Sequence, residues 1–513
     1  MANLMKLNDD SMRLIFDQLD TDRPQSFKQL ALVSKWTKRL ADPFRWRSIT
    51  LSDVGPFAGA SQQLIILLLD ANHDLSEHVR QITIADFKEE NGWFKLEQVL
   101  CNLKHLQSFA WNANRHIPES FISILESRWP SVNLFVSNLR RPEAEIASIP
   151  LDLRLLGSPL LYSLTCLVFL YDTVGDLVVE NGEANYVLRP RSELEALRRI
   201  LVGNSRLRIL KLEIASTELW NDLTDQVSAI RSVQYWQQEN LNLPLQSEDR
   251  LPPLQELSLP GKVQTKVGFY DFTLEHCEAL ERSMDWSRLR CLDLGNRCPP
   301  HFFKRFCGRL PNLRSLCIGL RKAPYHGCID GYDDPCIVID FINSIDRLET
   351  LSIINESMDW KILLPAISKQ AKSLQSLTAR APVDLSRQYS AGWTIVELEK
   401  LAGLCDNLEQ LEIDMNIEAF EQVSVKLLRE DVMYLEWISF GSCQLLGMPA
   451  RSRGSMVGRF PKQLPAYVRG IQPDIHCLLF DLLGNSFPIN SINKEISLCG
   501  KSHYLSPLVP PNI

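Results

Sequence analysis

The chain has 513 residues, 45% of them apolar and 23% charged, with Gly 23 and Pro 28. These values exclude collagen-like, low-complexity and wholly disordered classes and leave room for more than one structural unit. Lys plus Arg 55 against Asp plus Glu 62 gives a net charge of −7 and a pI near 5.8, which argues against a nucleic-acid-coating surface. The longest apolar run, Leu64 to Leu69, is six residues, where a bilayer crossing needs roughly 20, so no membrane association is predicted. The opening residues carry Lys6, Asp9 and Asp10 and no apolar block, which predicts no secretory signal and a cytoplasmic or nuclear location. The 13 cysteines, without any Cys-x-x-Cys pair, then read as free and mostly buried thiols. Seven of them lie between Cys277 and Cys336, but no two of these stand the two to four residues apart that structural zinc sites favour, so no metal site or cofactor is predicted.

The first fifty residues read as three short helices. Asn8 caps the first, with Asp9 and Asp10 in its opening turn and Met12, Ile15, Phe16 and Leu19 as its apolar stripe. Ser26 with Gln29 forms a capping box for a second, which carries Leu30, Val33 and Leu40. Asp42-Pro43 starts a third, followed by Trp46.

From residue 52 an internal repeat takes over. Apolar triplets at offsets 1, 4 and 6 fall at Val79, Ile82, Ile84; Leu106, Phe109, Trp111; Val132, Phe135, Ser137; and Leu164, Leu167, Phe169. They continue at Leu207, Leu210, Leu212; Leu254, Leu257, Leu259; Leu289, Leu292, Leu294; and Leu313, Leu316, Ile318. The last are Leu348, Leu351, Ile353; Leu374, Leu377, Ala379; Leu408, Leu411, Ile413; and Leu435, Ile438, Phe440. Offsets 4 and 6 put two side chains on one face of a short strand, with offset 1 in the turn before it. Helical patterns precede several strands. Ser192 and Glu195 open one, with Leu194, Leu197 and Leu201 on its apolar face and Gly203 as its stop. Thr394 and Glu397 open another, with Ile395, Leu398, Ala402 and Cys405. Pro118 opens a third, with Phe121, Ile124 and Leu125. Helix-strand units that stack to share a core make a solenoid. The expected fold is therefore α/β: three helices over 1–51, an irregular solenoid of about twelve helix-strand units with a parallel sheet over 52–442, and a basic segment with a cap over 443–513.

Between the core positions of each strand lie residues of the opposite face: Thr83, Ala110, Val168, Lys211, Ser258, Asp293, Cys317, Ser352, Thr378, Glu412 and Ser439, with Glu213, Arg380 and Asp414 one step on. Lys211, Asp293, Arg380, Glu412 and Asp414 are the candidate target-contacting residues. The mixed, slightly acidic character of this face points to a protein or peptide partner. Two excursions interrupt the repeat. Asp172 to Arg191, with Gly175, Asn181-Gly182 and Pro190, has the signals of turns or a small hairpin, and Tyr325 to Pro335 is an acidic, turn-rich loop. Beyond Phe440, Arg451, Arg453, Arg459 and Lys462 among glycines and prolines read as a mobile basic segment. Cys477 to Leu483 reads as a cap, and Pro507 to Ile513 as a frayed end.

The triplets resemble the leucine-rich repeat family in its degenerate, helix-containing form. The family's Asn or Cys at offset 9 appears only at Asn114, Asn416 and Cys443, so no regular asparagine ladder is expected. The front segment resembles an F-box. The resemblance rests on Leu7-Asn8-Asp9-Asp10 with Leu14, Ile15 and Leu19; on Leu32-Val33-Ser34-Lys35-Trp36; and on Asp42-Pro43-Phe44-Arg45-Trp46-Arg47 with Ile49 to Leu51. It departs from the family at Asn8, where proline is usual, and in a longer first connection, Asp20 to Gln29. The resemblance implies docking onto a Skp-type adaptor and through it a cullin complex, with Leu7, Asn8, Ile15, Val33 and Trp36 as the adaptor-facing candidates and the repeats holding a protein target. A binding scaffold whose front helices only cap the repeats fits the same elements. The sequence carries no phosphate-binding Gly-x-x-x-x-Gly-Lys-Ser/Thr loop, no Gly-x-Gly-x-x-Gly after a strand, no His-Glu-x-x-His and no Gly-x-Ser-x-Gly elbow, so a non-catalytic receptor subunit is the expectation.

Overall fold

The computed structural model describes residues 12, 14–16, 18, 26–70, 73–85, 87, 90–113, 116–138, 151–168, 176–180, 183–187, 193–214, 242–261, 270, 272–295, 298–320, 335–355, 362–380, 393–415, 438–439 and 454–459. The chain divides into two units, the first taking in Met1–Asp176 and Leu188–Leu210, the second Leu177–Val187 and Lys211–Pro507.

In the first unit the strands β1 (Ser48–Leu51), β2 (Gln81–Ile84), β3 (Ser108–Trp111), β4 (Asn133–Asn138) and β5 (Leu161–Val168) lie side by side in chain order, all parallel. Helices Ala58–Leu69, Glu90–Asn102 and Glu119–Arg128 alternate with them. Two apolar rows run across the ladder, Ile49, Ile82, Phe109, Leu134 and Leu51, Ile84, Trp111, Val136, all buried. An aromatic cluster fills the space beneath them. The Trp93 and Trp111 rings sit 5.3 Å apart, and Phe121 meets Trp111 edge-on at 90°.

In the second unit β8 (Ile209–Ile214), β9 (Glu256–Gly261), β10 (Cys291–Gly295), β11 (Ser315–Leu320), β12 (Thr350–Asn355), β13 (Ser376–Arg380) and β14 (Gln410–Met415) follow in chain order, and the pairs from β9 to β14 are parallel. Leu257, Leu292, Leu316, Leu351, Leu377 and Leu411 form one buried row. Helix Pro300–Phe306 puts Phe302, Phe303 and Phe306 fully inside, with Phe306 4.2 Å from the Trp286 ring and Phe303 4.9 Å from Phe341. The Asp172–Arg191 excursion contains the two-stranded sheet of β6 (Asp176–Glu180) and β7 (Glu183–Val187).

Successive strands are joined by a shared carbonyl. From β1 to β3 and from β9 to β14 the residue after the lead position offers its C=O to two consecutive N–H groups of the next unit, whereas Gln107 C=O accepts only Asn133 N–H and Leu134 N–H donates to Leu160 C=O. Arg80 C=O accepts from Gln107 and Ser108 at 2.7 and 3.0 Å, and Arg290 C=O from Arg314 and Ser315 at 2.8 and 2.9 Å. Arg314 C=O accepts from Glu349 and Thr350 at 2.8 and 2.9 Å, and Gln375 C=O from Glu409 and Gln410 at 2.7 and 3.0 Å. The polar residue just before the lead position makes a second clamp. Asn312 Nδ2 donates to Ser287 C=O at 2.7 Å, Asn407 Nδ2 to Lys372 C=O at 2.6 Å, and Arg206 reaches the Pro130 and Ser131 carbonyls at 2.9 and 3.0 Å. This explains the Asn and Arg lead-ins of the sequence. Asn114, Asn416 and Cys443 lie outside the described residues. Buried amides elsewhere satisfy the turns. Gln370, 1% exposed, accepts Leu348 N–H at 3.0 Å and donates to the Ile342 and Ile345 carbonyls at 3.1 and 2.7 Å. Asn204 accepts from the Arg206 and Leu207 N–H groups at 2.9 and 3.0 Å.

Several expectations are corrected. The second helix ends at Val33, and a new helix, Lys35–Arg45, carries Leu40 and contains Pro43 rather than starting there. Ser34 causes the break. Its Oγ accepts Thr37 N–H at 3.1 Å while Thr37 Oγ1 accepts Ser34 N–H at 3.0 Å, a reciprocal cap built with Thr in place of Glu. Pro43 lies inside this helix, where it lacks the N–H that would reach Arg39 C=O, and the helix ends two residues later. The triplets starting at Val132 and Leu164 are out of register. Leu134 and Val136 point inward in β4 where Phe135 and Ser137 were expected, and Leu164, Cys166 and Val168 do so in β5. A lead-in shorter by one residue turns a whole strand over. Val168, assigned to the opposite face, is therefore core, and on helix Glu119–Arg128 Ile122 is buried beside Phe121 and Leu125 while Ile124 is only half-buried. The twelfth triplet does not extend the parallel ladder: Gly454–Arg459, read as a mobile basic segment, forms β16 antiparallel to β14, and β15 (Ile438–Ser439) pairs antiparallel with β16. The Thr394–Glu397 capping box forms as expected, with Leu401 and Cys405 buried behind it. The loop 325–334, the cap 477–483 and the end 507–513 lie outside the described residues.

Two predictions follow from these buried polar groups. Gln370→Leu removes partners from three main-chain groups and is expected to cost about 3 kcal/mol, read from the urea unfolding midpoint. His276 Nε2 and the Tyr270 hydroxyl share a hydrogen bond at 2.7 Å, and burial pushes the imidazole pKa from 6.5 down to about 4. The neutral ring is favoured by folding, so its contribution is complete above pH 6.5 and is lost as the pH falls from there toward 4, by about 3 kcal/mol at most. In urea unfolding between pH 7.5 and 4.5, His276→Phe is expected to show a smaller loss of stability than the parent chain.

Candidate functional site

The face of the second unit's ladder opposite the leucine row carries short polar side chains in lateral register. Ser258, Asp293, Cys317, Ser352, Thr378 and Glu412 stand side by side, one per strand. At the ordinary strand spacing the row is roughly 24 Å long. All are half-buried except Ser258, which is 7% exposed because its Oγ donates to Asp293 Oδ2 at 2.8 Å. The neighbouring row is Glu256, Cys291, Ser315, Thr350, Ser376 and Gln410. The strands place these residues by alternation alone. Leucine at the flanking positions goes to the core, so whatever stands between faces the other way.

Of the five predicted contact residues, three have described side chains. Lys211 lies in β8, with Nζ 3.4 Å from Glu256 Oε2, and both side chains stay over a third exposed. Asp293 is held on two sides: besides Ser258, its Oδ1 accepts Gly295 N–H at 2.8 Å, where Gly295 has φ 59 and the strand turns away. Glu412 accepts the Thr378 hydroxyl at 3.5 Å. Arg380 pairs across the ladder with Ile354, and Asp414 with Ser455 of β16; their side chains lie outside the described set. In the first unit the corresponding row is Thr50, Thr83, Ala110 and Phe135. Phe135, read from sequence as core, stands on this face with its ring 5.4 Å from that of Tyr162. The signal that could have found it is the one-residue-shorter lead-in after Val132.

The row offers hydroxyls, a thiol and carboxylates for surface contact along an open strip. Burial first, and then the Glu256 carboxylate, push the Cys291 thiol up, so it stays protonated at neutral pH and is a poor nucleophile. Among the described residues no group of His, Cys, Asp and Glu is arranged to hold a metal ion, and no helix is long and apolar enough to cross a membrane.

The front helices present a second surface. Met12, Phe16, Phe27, Ala31, Leu40 and Ala41 make a small core of their own, with Phe27 stacked on Phe44 at 5.3 Å and Phe16 edge-on to Phe44 at 5.7 Å. Met12 and Phe16, four apart on the first helix, take the buried positions, leaving Leu14 71% and Ile15 38% exposed; Leu32 and Val33 are 86% and 50% exposed. Trp36, predicted to face an adaptor, packs with Leu30 and Phe44 against the segment's own core. Leu7 and Asn8 lie outside the described residues. Leu14 and Leu32, not singled out as adaptor contacts, are the most exposed apolar side chains among the described residues of this segment. Their adjacency to Ile15 and Val33 was the available signal.

No protein-family model and no curated protein matches the sequence.

Asp293→Ala removes acceptors from both Ser258 and the Gly295 turn and is expected to cost about 1 to 2 kcal/mol in urea unfolding. Glu412→Gln, which keeps an acceptor for Thr378, is expected to stay within about 0.5 kcal/mol of the parent.

Proposed function

We propose that the chain is the substrate-recognition subunit of a cullin-type (SCF) ubiquitin ligase. In this reading the front helices are an F-box that docks a Skp-type adaptor. The helix-strand units are a degenerate leucine-rich-repeat solenoid whose polar face holds a protein target. The observation that carries the proposal is the front segment's division of labour: a closed aromatic core of its own beside Leu14, Ile15, Leu32 and Val33 left exposed. Helical segments of this size are marginal alone and gain stability from a partner that covers such side chains. The function is then positional. The chain contributes no nucleophile; it raises the local concentration of its target beside a ubiquitin-charged enzyme. Trp36, committed to the segment's own core, favours a second reading, a repeat scaffold with no ubiquitin role.

Leu32→Asp combined with Val33→Asp separates the two, because both side chains are exposed and the substitutions leave the core untouched. In affinity capture from cells with mass spectrometry, the double variant is expected to lose the adaptor at least about tenfold with an unchanged melting temperature. Adaptor recovery equal to that of the parent, or no adaptor with either chain, overturns the receptor reading.

A further inference from the structure

Where the ladder begins, its first shared carbonyl brings two arginines together. Arg47 C=O accepts Arg80 N–H at 2.8 Å and Gln81 N–H at 2.9 Å, so these two backbones are locked side by side. A cavity of about 160 Å³ opens there, lined by Pro43, Phe44, Arg47, His78 and Arg80. Its apolar wall is built from packed groups. Phe44 stacks on Phe27, and Pro43 sits within helix Lys35–Arg45. The Arg80 guanidinium is anchored by one nitrogen only, Nη1, which donates to Glu77 C=O at 2.5 Å and Val79 C=O at 3.4 Å. Its Nε and Nη2, and both ring nitrogens of His78, have no hydrogen-bond partner among the described residues. The carboxylate of Glu77 is itself engaged by Lys104 at 2.5 Å.

Burial first, and then the Arg47 charge, pull Arg80 below its ordinary value. Two arginines lining one small cavity repel each other, and an oxyanion placed beside both relieves that cost. Size narrows the ligand. A drug-sized molecule takes roughly 300 Å³ or more, whereas 160 Å³ suits one tetrahedral oxyanion with a few waters. Arginine's planar fork matches phosphate oxygens in pairs, and an imidazole adds a third donor.

We propose that Arg47, His78 and Arg80 form a binding site for a single phosphate group, presented either as free phosphate or on a phosphorylated side chain.

Isothermal titration calorimetry on the full chain, at constant ionic strength with chloride as the balancing anion, tests it with two probes. These are inorganic phosphate and a short peptide carrying one phosphoserine, set against its unphosphorylated form. Saturable binding of at least one phosphate probe is expected, and the tighter of the two identifies the source. Arg80→Met and Arg47→Met are each expected to weaken binding at least about tenfold. His78→Gln, which keeps the backbone contacts intact, is expected to weaken it about threefold and serves where an arginine variant fails to fold by circular dichroism. Arg250→Met, remote in the chain, is expected to change nothing. No saturable binding of either probe by the parent chain, or undiminished binding by folded Arg80→Met or by His78→Gln, overturns the proposal.

Discussion

One carbonyl shared between two N–H groups, at every step from β1 to β3 and from β9 to β14, is the constraint from which most of the ladder follows. The lead apolar side chain, buried at Val79, Leu289, Leu313, Leu348 and Leu374, pins the turn. The next residue's C=O then has one direction left, toward the following unit, where it meets two consecutive donors. A parallel pair lacks the hairpin that aligns antiparallel strands, so register has to be set by something local to each turn. Here the buried lead residue and the doubly occupied carbonyl set it together. The Asn and Arg clamps that precede the lead position reinforce the same step from outside.

Because register is set at the turn, the strand that follows sorts its side chains without further instruction. Leucines at alternate positions form a continuous buried row, and the residues between them form a continuous polar one. This is why the candidate target-binding strip of the second unit is continuous although its members, from Ser258 to Glu412, are scattered over more than 150 residues of chain. The same step explains the basic cavity of the first unit. Arg47 and Arg80 occupy equivalent positions in consecutive units, and the carbonyl that joins the units also juxtaposes their charges. The front helices lean on a different device, an aromatic cluster, and leave apolar side chains over that ladder-building units would have buried in a neighbour.

The sequence by itself determined the helix-strand alternation, the parallel ladder and most of the inward-facing residues. Leu-x-x-Leu-x-Leu at Leu289, Leu313, Leu348 and Leu374 carries both the turn and the strand period, and the Thr394–Glu397 cap is a short-range signal complete within four residues. These features are local, so the chain spells them out. Only the tertiary structure decided the register at Val132 and Leu164, where one residue more or less in a turn inverts the face and moved Val168 into the core and Phe135 out of it. It alone decided that Ser34 rather than Asp42 breaks the front helices, because a Ser-Thr reciprocal cap competes with a continuing helix only in three dimensions. It also decided which front apolar groups remain uncovered and that Arg47 and Arg80 share a cavity. Exposure and the meeting of like charges depend on neighbours far away in the chain, and no local pattern of residues encodes them.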